Sequence, residues 1–159
     1  MEYTITFVED HRTIETLVSF FIENKTIEFI SHGEILSGRA HDLTTWNENL
    51  DQVLFEHWSN DSVLKIAILG ENKDILGFAI AEIIENSLNK YLILDDIMIG
   101  EKLRGHSLGK KMVDFIIDFS KCENIKAILC ESGINNIKAH SFLRKTGFEE
   151  TSINFILPI

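Results

Sequence analysis

The chain has 159 residues, 45% apolar and 25% charged, a balance typical of one soluble domain burying roughly 70% of its unfolded surface. No stretch approaches the ~20 apolar residues of a membrane helix, and a net charge of −10 makes nucleic acid a poor partner, because phosphate binding needs a basic patch. Two cysteines, Cys122 and Cys130, and six histidines without ligand spacing argue against a disulfide framework and a metal centre.

Tyr3 to Val8 alternates as a short strand. Asp10 is placed to cap a helix carrying Ile14, Leu17, Val18, Phe21 and Ile22 at helical spacing. Residues 25–42 are ambiguous: Thr26 to Ser31 can form a helical turn, while His32-Gly33 and Ser37-Gly38 read as breaks. Thr44 or Thr45 can cap a further helix with Trp46, Leu50, Val53, Leu54 and Trp58 on one face. From Val63 the pattern turns to strands: Val63 to Leu69, a turn at 70–74, Ile75 to Ile84, a turn at 86–89, and Tyr91 to Ile99. Leu108 to Ser120 is an amphipathic helix, Ala127 to Cys130 a short buried strand, Asn136 to Lys145 a helix, and Ser152 to Leu157 a last strand. The order β-α-α-β-β-β-α-β-α-β specifies an α/β domain with a mixed, mostly antiparallel sheet. Met1-Glu2-Tyr3 carries an early acid and no basic n-region, so the cytoplasm is the expected location.

The charge is uneven. Residues 1–61 hold twelve acids against three bases, residues 62–159 thirteen against twelve. Such a surface suits a cationic partner, although solvated helix faces would look the same. The apolar stretch Ser152 to Ile159 could pair with a second copy, which leaves a homodimer open.

The stretch from Tyr91 to Phe148 carries the chemistry. A strand, a turn at Arg104-Gly105-His106-Ser107-Leu108-Gly109 and an immediate helix start leave backbone N–H groups free for phosphate oxygens, and the helix dipole favours an anion there. Asp95 and Asp96 interrupt the otherwise apolar strand. Neighbouring strand residues point to opposite faces, so at most one of them faces a given side. Either could take a proton from an ammonium. Glu131 ends the following strand. Cys130 reads as a small buried hydrophobe rather than a nucleophile.

Two segments resemble motifs of the GNAT N-acetyltransferase superfamily. Ile99-Gly100-Glu101-Lys102-Leu103-Arg104-Gly105-His106-Ser107-Leu108-Gly109 is similar to the family's acyl-CoA loop, Arg/Gln-x-x-Gly-x-Gly/Ala. Asn136-x-x-Ala139-x-x-Phe142-Leu143-x-x-x-Gly147-Phe148 is similar to its later signature. The match is close over about residues 75–150, and the N-terminal part agrees in element order only. The resemblance implies a GNAT-like fold, one domain over 1–159 with an acceptor-side region at 1–61 and an acetyl-CoA-binding core at 62–159. It implies a V-shaped cofactor cleft between the strands ending near Ile99 and Glu131, flanked by helices. CoA pyrophosphate would sit on Arg104, Gly105, His106, Ser107, Leu108 and Gly109, with Lys110 beside them. The pantetheine would run along Asp96, Ile97, Met98 and Ile99, and Asn136 and Phe142 would lie near the cofactor. Asn136 could instead simply cap its helix, with Asn135 as competitor.

The implied activity is acetyl transfer from acetyl-CoA to a primary amine. Asp96, Asp95 and Glu131 are the candidate bases, Glu131 because some family members carry theirs at that position. A backbone N–H near Met98 or Ile99 would hold the carbonyl oxygen. Glu28, Glu34 and Trp46 are candidates for holding a small cationic acceptor, aminoglycoside-like or polyamine-like, with the indole acting by cation–π contact. A peptide acceptor (Lys or N-terminal amine) and a non-catalytic acyl-CoA-binding regulator are the alternatives. Two departures stand out: Ser107 where glycine is usual, and Leu143 where many members carry a tyrosine.

Overall fold

The computed structural model describes residues 2–157 and 159. In chain order the elements are β1 (Tyr3–Phe7), α1 (His11–Asn24), a 3-10 turn (Ile27–Phe29), α2 (His32–Leu36), β2 (Ala40–Asp42), β3 (Thr45–Trp46), α3 (Leu50–Trp58), β4 (Val63–Gly70), β5 (Ile75–Glu85) and β6 (Lys90–Ile99). A second 3-10 turn (Glu101–Leu103) precedes α4 (Leu108–Cys122), β7 (Ala127–Cys130) and α5 (Ile137–Lys145). Contacts group the chain into two compact units: Met1–Asn24 with Asp51–Cys130, and Lys25–Leu50 with Glu131–Ile159.

The first unit is built on one sheet in the order β1-β4-β5-β6-β7. Pairing is antiparallel up to β6, and β7 joins β6 in parallel. The strands β4 and β5 are nearly continuous apolar runs because both faces of the sheet are covered. Register puts Phe78 opposite Ala67, while the neighbouring pair Ile66–Ala79 lies in line with Phe7 and so on the other face. Phe78 stacks with Phe20 of α1 and Trp58 of α3, and Trp58 with Phe21. Phe7 packs on Phe115 and Phe119 of α4. Thus α1 and α3 cover one face and α4 the other. Asp10 starts α1 by accepting the Thr13 N–H at 2.9 Å.

The second unit holds α2, the β2–β3 hairpin and α5. Gly133 ties its two chain segments together: a Cβ there would meet the Ile30 carbonyl oxygen at 2.5 Å and that of Glu28 at 2.7 Å. Only glycine allows that backbone approach.

Three expectations are corrected. The helix expected from Thr44 or Thr45 begins at Leu50, and Thr45–Trp46 pairs with β2 instead. Asn47 causes this, its carbonyl taking the Leu50 N–H and its side chain the Asn49 N–H in a turn before the helix. His32-Gly33 is no break but the first turn of α2, secured by a capping box between Ser31 and Glu34. Residues 152–157 form no strand. No neighbouring strand supplies a ladder, and Ile153, Phe155 and Leu157 stay 75, 91 and 85% exposed. The aromatic residues of α1 and α3 join the core of the sheet.

Candidate active site

The loop from Gly100 to Leu108 is set by backbone geometry. The Arg104 N–H closes on Glu101, the His106 N–H on Leu103, and the Arg104 side chain returns to the Ile99 carbonyl at 3.1 Å. Gly105 and Ser107 both take positive φ, 86° and 63°, which turns the chain sharply into α4. Among the described residues, the N–H groups of Gly105, Ser107, Leu108, Gly109 and Lys110 make no backbone hydrogen bond. Five such donors on one turn at a helix start fit a diphosphate. Arg104 and His106 contribute side chains rather than free N–H groups. The Lys110 ammonium pairs with Asp114 at 2.8 Å, and Lys111 lies over the Tyr3 ring.

Strand β6 leads into this loop. It pairs with β7 only from Tyr91–Ala127 to Leu94–Cys130, so among the described residues Ile97 to Ile99 have no strand partner on that side. On the other side Asp96 opposes Ile80 but Leu94 opposes Ala81, which makes Asp95 the extra residue of a β-bulge. A bulge breaks the alternation of side chains, so the opposite-face rule does not hold between Asp95 and Asp96. Beyond it, Asp96 and Met98 register on the face covered by α1 and α3, and Ile97 and Ile99 on the face covered by α4. Both aspartates are half-buried. The open edge has the extended backbone that a strand-like amide ligand requires.

Glu131 directly follows the last residue of β7 and belongs to the second unit. One carboxylate oxygen accepts the Gly33 N–H at 3.2 Å, and the other lies 2.7 Å from Nδ1 of His32. The Asn154 side chain reaches the same oxygen at 3.5 Å. Burial pushes the Glu131 carboxyl up, but donors from Ser31, Gly33 and His32 outweigh it and hold the group below the ordinary glutamate range. Glu34 is occupied by its cap, accepting the Ser31 N–H at 2.7 Å and its hydroxyl at 2.5 Å. Sequence reading passed over His32. The signal for it was the Ser31-x-x-Glu34 spacing, which marks a helix start and so fixes the residue after the cap.

Asn136 caps α5, accepting the Ala139 N–H at 3.2 Å, and Phe142 is half-buried on that helix. His140 bonds the Gly133 carbonyl at 2.9 Å and braces the preceding loop. Leu143 is half-buried; the tyrosines, Tyr3 and Tyr91, belong to the first unit. Glu28 is fully exposed, its carboxyl held low first by the Thr26 hydroxyl, with a smaller contribution from Lys138. Trp46 is half-buried with Nε1 sealed from solvent. Burial pushes the Cys130 thiol up to about 11, consistent with an inert packing residue. The described residues hold no metal-binding cluster and no helix long and apolar enough to cross a membrane.

The family model described as "Acetyltransferase (GNAT) family" matches residues 32–148. A search of curated proteins by sequence returns no match. Among solved structures, a tetramutant of the BH1408 protein of Bacillus halodurans superimposes with TM-score 0.77 at 15% identity, covering 98% of this chain and 99% of that one. Glucosamine-6-phosphate N-acetyltransferase of Arabidopsis thaliana gives 0.67 at 17% identity, covering 99% of each chain. An aminoglycoside acetyltransferase from an uncultured soil metagenomic sample, solved with sisomicin, gives 0.70 at 16% identity, covering 99% and 96%. At these identities the likeness is one of fold.

Proposed function

The chain belongs to the acetyltransferase (GNAT) family of acyl-CoA-dependent N-acetyltransferases, and on that premise we propose that it acetylates a primary amine of a small cationic molecule. The observation that carries the cofactor side is the run of unbonded N–H groups at Gly105 and Ser107 to Lys110. These donors would hold the diphosphate of acetyl-CoA, and the edge of β6 from Ile97 to Ile99 would take its amide arm. When bound, acetyl-CoA supplies an activated thioester. The chain's own part is to place the amine, remove its proton and offer a backbone N–H near Met98 or Ile99 to the carbonyl oxygen.

Proton removal would fall to a carboxylate: Asp95 or Asp96 at the bulge, or Glu131 after β7. No tyrosine stands at the Leu143 position, so the leaving thiolate would draw its proton from water; loss of a general acid typically costs 10²–10⁴-fold and leaves turnover measurable. The acidity of residues 1–61 supports a cationic acceptor, as does the relative in fold solved with sisomicin. Glu28, Glu34 and Trp46 remain the residues proposed to meet it. Because acidic surfaces attract basic peptides equally, a lysine peptide is the competing acceptor.

Calorimetric titration with acetyl-CoA, free CoA and NAD tests the cofactor side: binding of the two CoA species alone is expected, and absence of CoA binding overturns the proposal. Thiol release is then followed with spermidine, sisomicin, glucosamine 6-phosphate and a lysine peptide. Turnover of the peptide alone would replace the small-acceptor reading.

A further inference from the structure

Residues 151–159 carry no charged side chain, although the chain as a whole has a net charge of −10. Within them Ile153, Phe155 and Leu157 alternate with Ser152, Asn154 and Ile156, the period of an extended segment with one apolar side. The start of the segment is held in place: Glu150 pairs with Arg144 of α5, and the Asn154 side chain reaches Glu131 at 3.5 Å. Neighbouring residues of an extended segment point opposite ways. With Asn154 turned towards its own unit, Ile153, Phe155 and Leu157 are turned outward, and they are 75, 91 and 85% exposed against 51% for Ile156.

Proteins guard such a run with a charge, a proline or a cover. Residues 152–157 have neither charge nor proline, which leaves a cover. A second copy of the chain fits that role. An apolar row is complementary to itself about a two-fold axis, where one patch serves both partners. No like charges are brought together by it. The nearest charge along the segment is Glu150, about 17 Å from Phe155 at strand spacing, which exceeds the ~8 Å Debye length, and it is already paired with Arg144. Glu131 lies on the Asn154 side and is taken up by His32 and Gly33. At roughly 200 Å² for a fully exposed residue of this size, the three outward side chains offer about 500 Å² per copy. Two copies together reach the ~1,000 Å² at which a specific interface begins.

We infer that the chain forms a two-fold dimer in which Ile153, Phe155 and Leu157 of one copy pack face to face on the same residues of the other, with Phe155 at the axis. The interface is small, so the two copies associate in the micromolar range. Its residues belong neither to the loop from Gly105 to Lys110 nor to the strand edge from Ile97 to Ile99, so the pairing is independent of the acetyl-transfer reading.

The test is sedimentation equilibrium of the whole chain from low to high micromolar concentration. The wild type is expected to pass from monomer to dimer over that range. Phe155→Lys sets two ammonium groups against each other at the axis and should raise the dissociation constant at least about 30-fold, the loss of one central anchor. Ser152→Lys adds the same charge on the opposite side of the segment and should leave the dimer intact, which separates this face from a general effect of charge. The urea midpoint of Phe155→Lys at low concentration should match the wild type, because Phe155 is exposed in its own copy. A wild type that stays monomeric throughout overturns the inference and leaves the face to a partner of another kind. A dimer weakened equally by both substitutions, or by neither, overturns it too, since association would then run through a different surface.

Discussion

Ser107 is the residue on which the loop proposed to hold the cofactor turns, and its backbone sits at φ 63°, ψ 5°. A side chain other than glycine is disfavoured there, at roughly 1–2 kcal/mol by the steric argument. Ser107→Gly is therefore expected to stabilise the protein by about 0.5–1 kcal/mol. A raised urea midpoint with an unchanged slope would show it, and acetyl-CoA binding should be kept or tightened. A lowered midpoint would mean that the serine hydroxyl supports the turn in a way its missing cap bond does not suggest. The two cysteines should also separate. Cys122 is exposed, whereas burial holds the Cys130 thiol at about 11. In mildly alkaline buffer a disulfide reagent should titrate one thiol per chain quickly and the second only on unfolding. The raised value also sets a sign: the unfolded thiol ionises more readily, so Cys130 contributes a loss of stability as pH rises past its ordinary value.

At the scale of elements, the sheet of the first unit depends on an aromatic cluster that joins α1, α3 and β5. Trp58 is fully buried between Phe21 and Phe78. Trp58→Ala should cost about 3–5 kcal/mol, measured by denaturant unfolding. In the second unit the tight contact is backbone against backbone. Gly133→Val forces a branched side chain into the carbonyls of Glu28 and Ile30, and no flexible group can move aside. A loss of about 1–3 kcal/mol or more is expected, with acetyl-transfer rate falling alongside because the loop also carries Glu131. An unchanged melting temperature would show that the approach is looser than drawn. The sequence order of these elements was legible from apolar periodicity, and most strands and helices begin within a residue or two of expectation. The exceptions were local contests: Asn47 delayed α3 by forming its own turn, and the Ser31–Glu34 box made a helix where His32-Gly33 looked like a break.

For the molecule as a whole, five carboxylates are held by hydrogen bonds strongly enough to shift their titration. Asp10, Glu28, Asp42, Glu48 and Glu131 are all held below their ordinary range, chiefly by hydrogen bonds from nearby side chains, with burial opposing most strongly at Glu131. A depressed folded-state value means that the stabilisation is complete above the unfolded value, 4.5 for Glu131, and is lost as pH falls through the folded one. Glu131→Gln should thus lie closer to the wild type in stability in acid than at neutral pH. Urea midpoints at neutral pH and near pH 3.5 would measure the difference; a constant gap would refute the linkage.

Motif spacing alone pointed to the strand–turn–helix junction proposed to bind the cofactor, because its free N–H groups follow from local geometry that Arg104 to Gly109 encode by themselves. The antiparallel sheet was equally readable from apolar runs bounded by turns. The bulge at Asp95 and the clamp of Glu131 on His32 were not, for one physical reason. Each depends on residues far apart in sequence: a register shift against Ile80 and Ala81, and a contact between positions 32 and 131. Nothing local in either segment specifies its distant partner, so only tertiary structure decided where the strand bulges and what the Glu131 carboxylate meets.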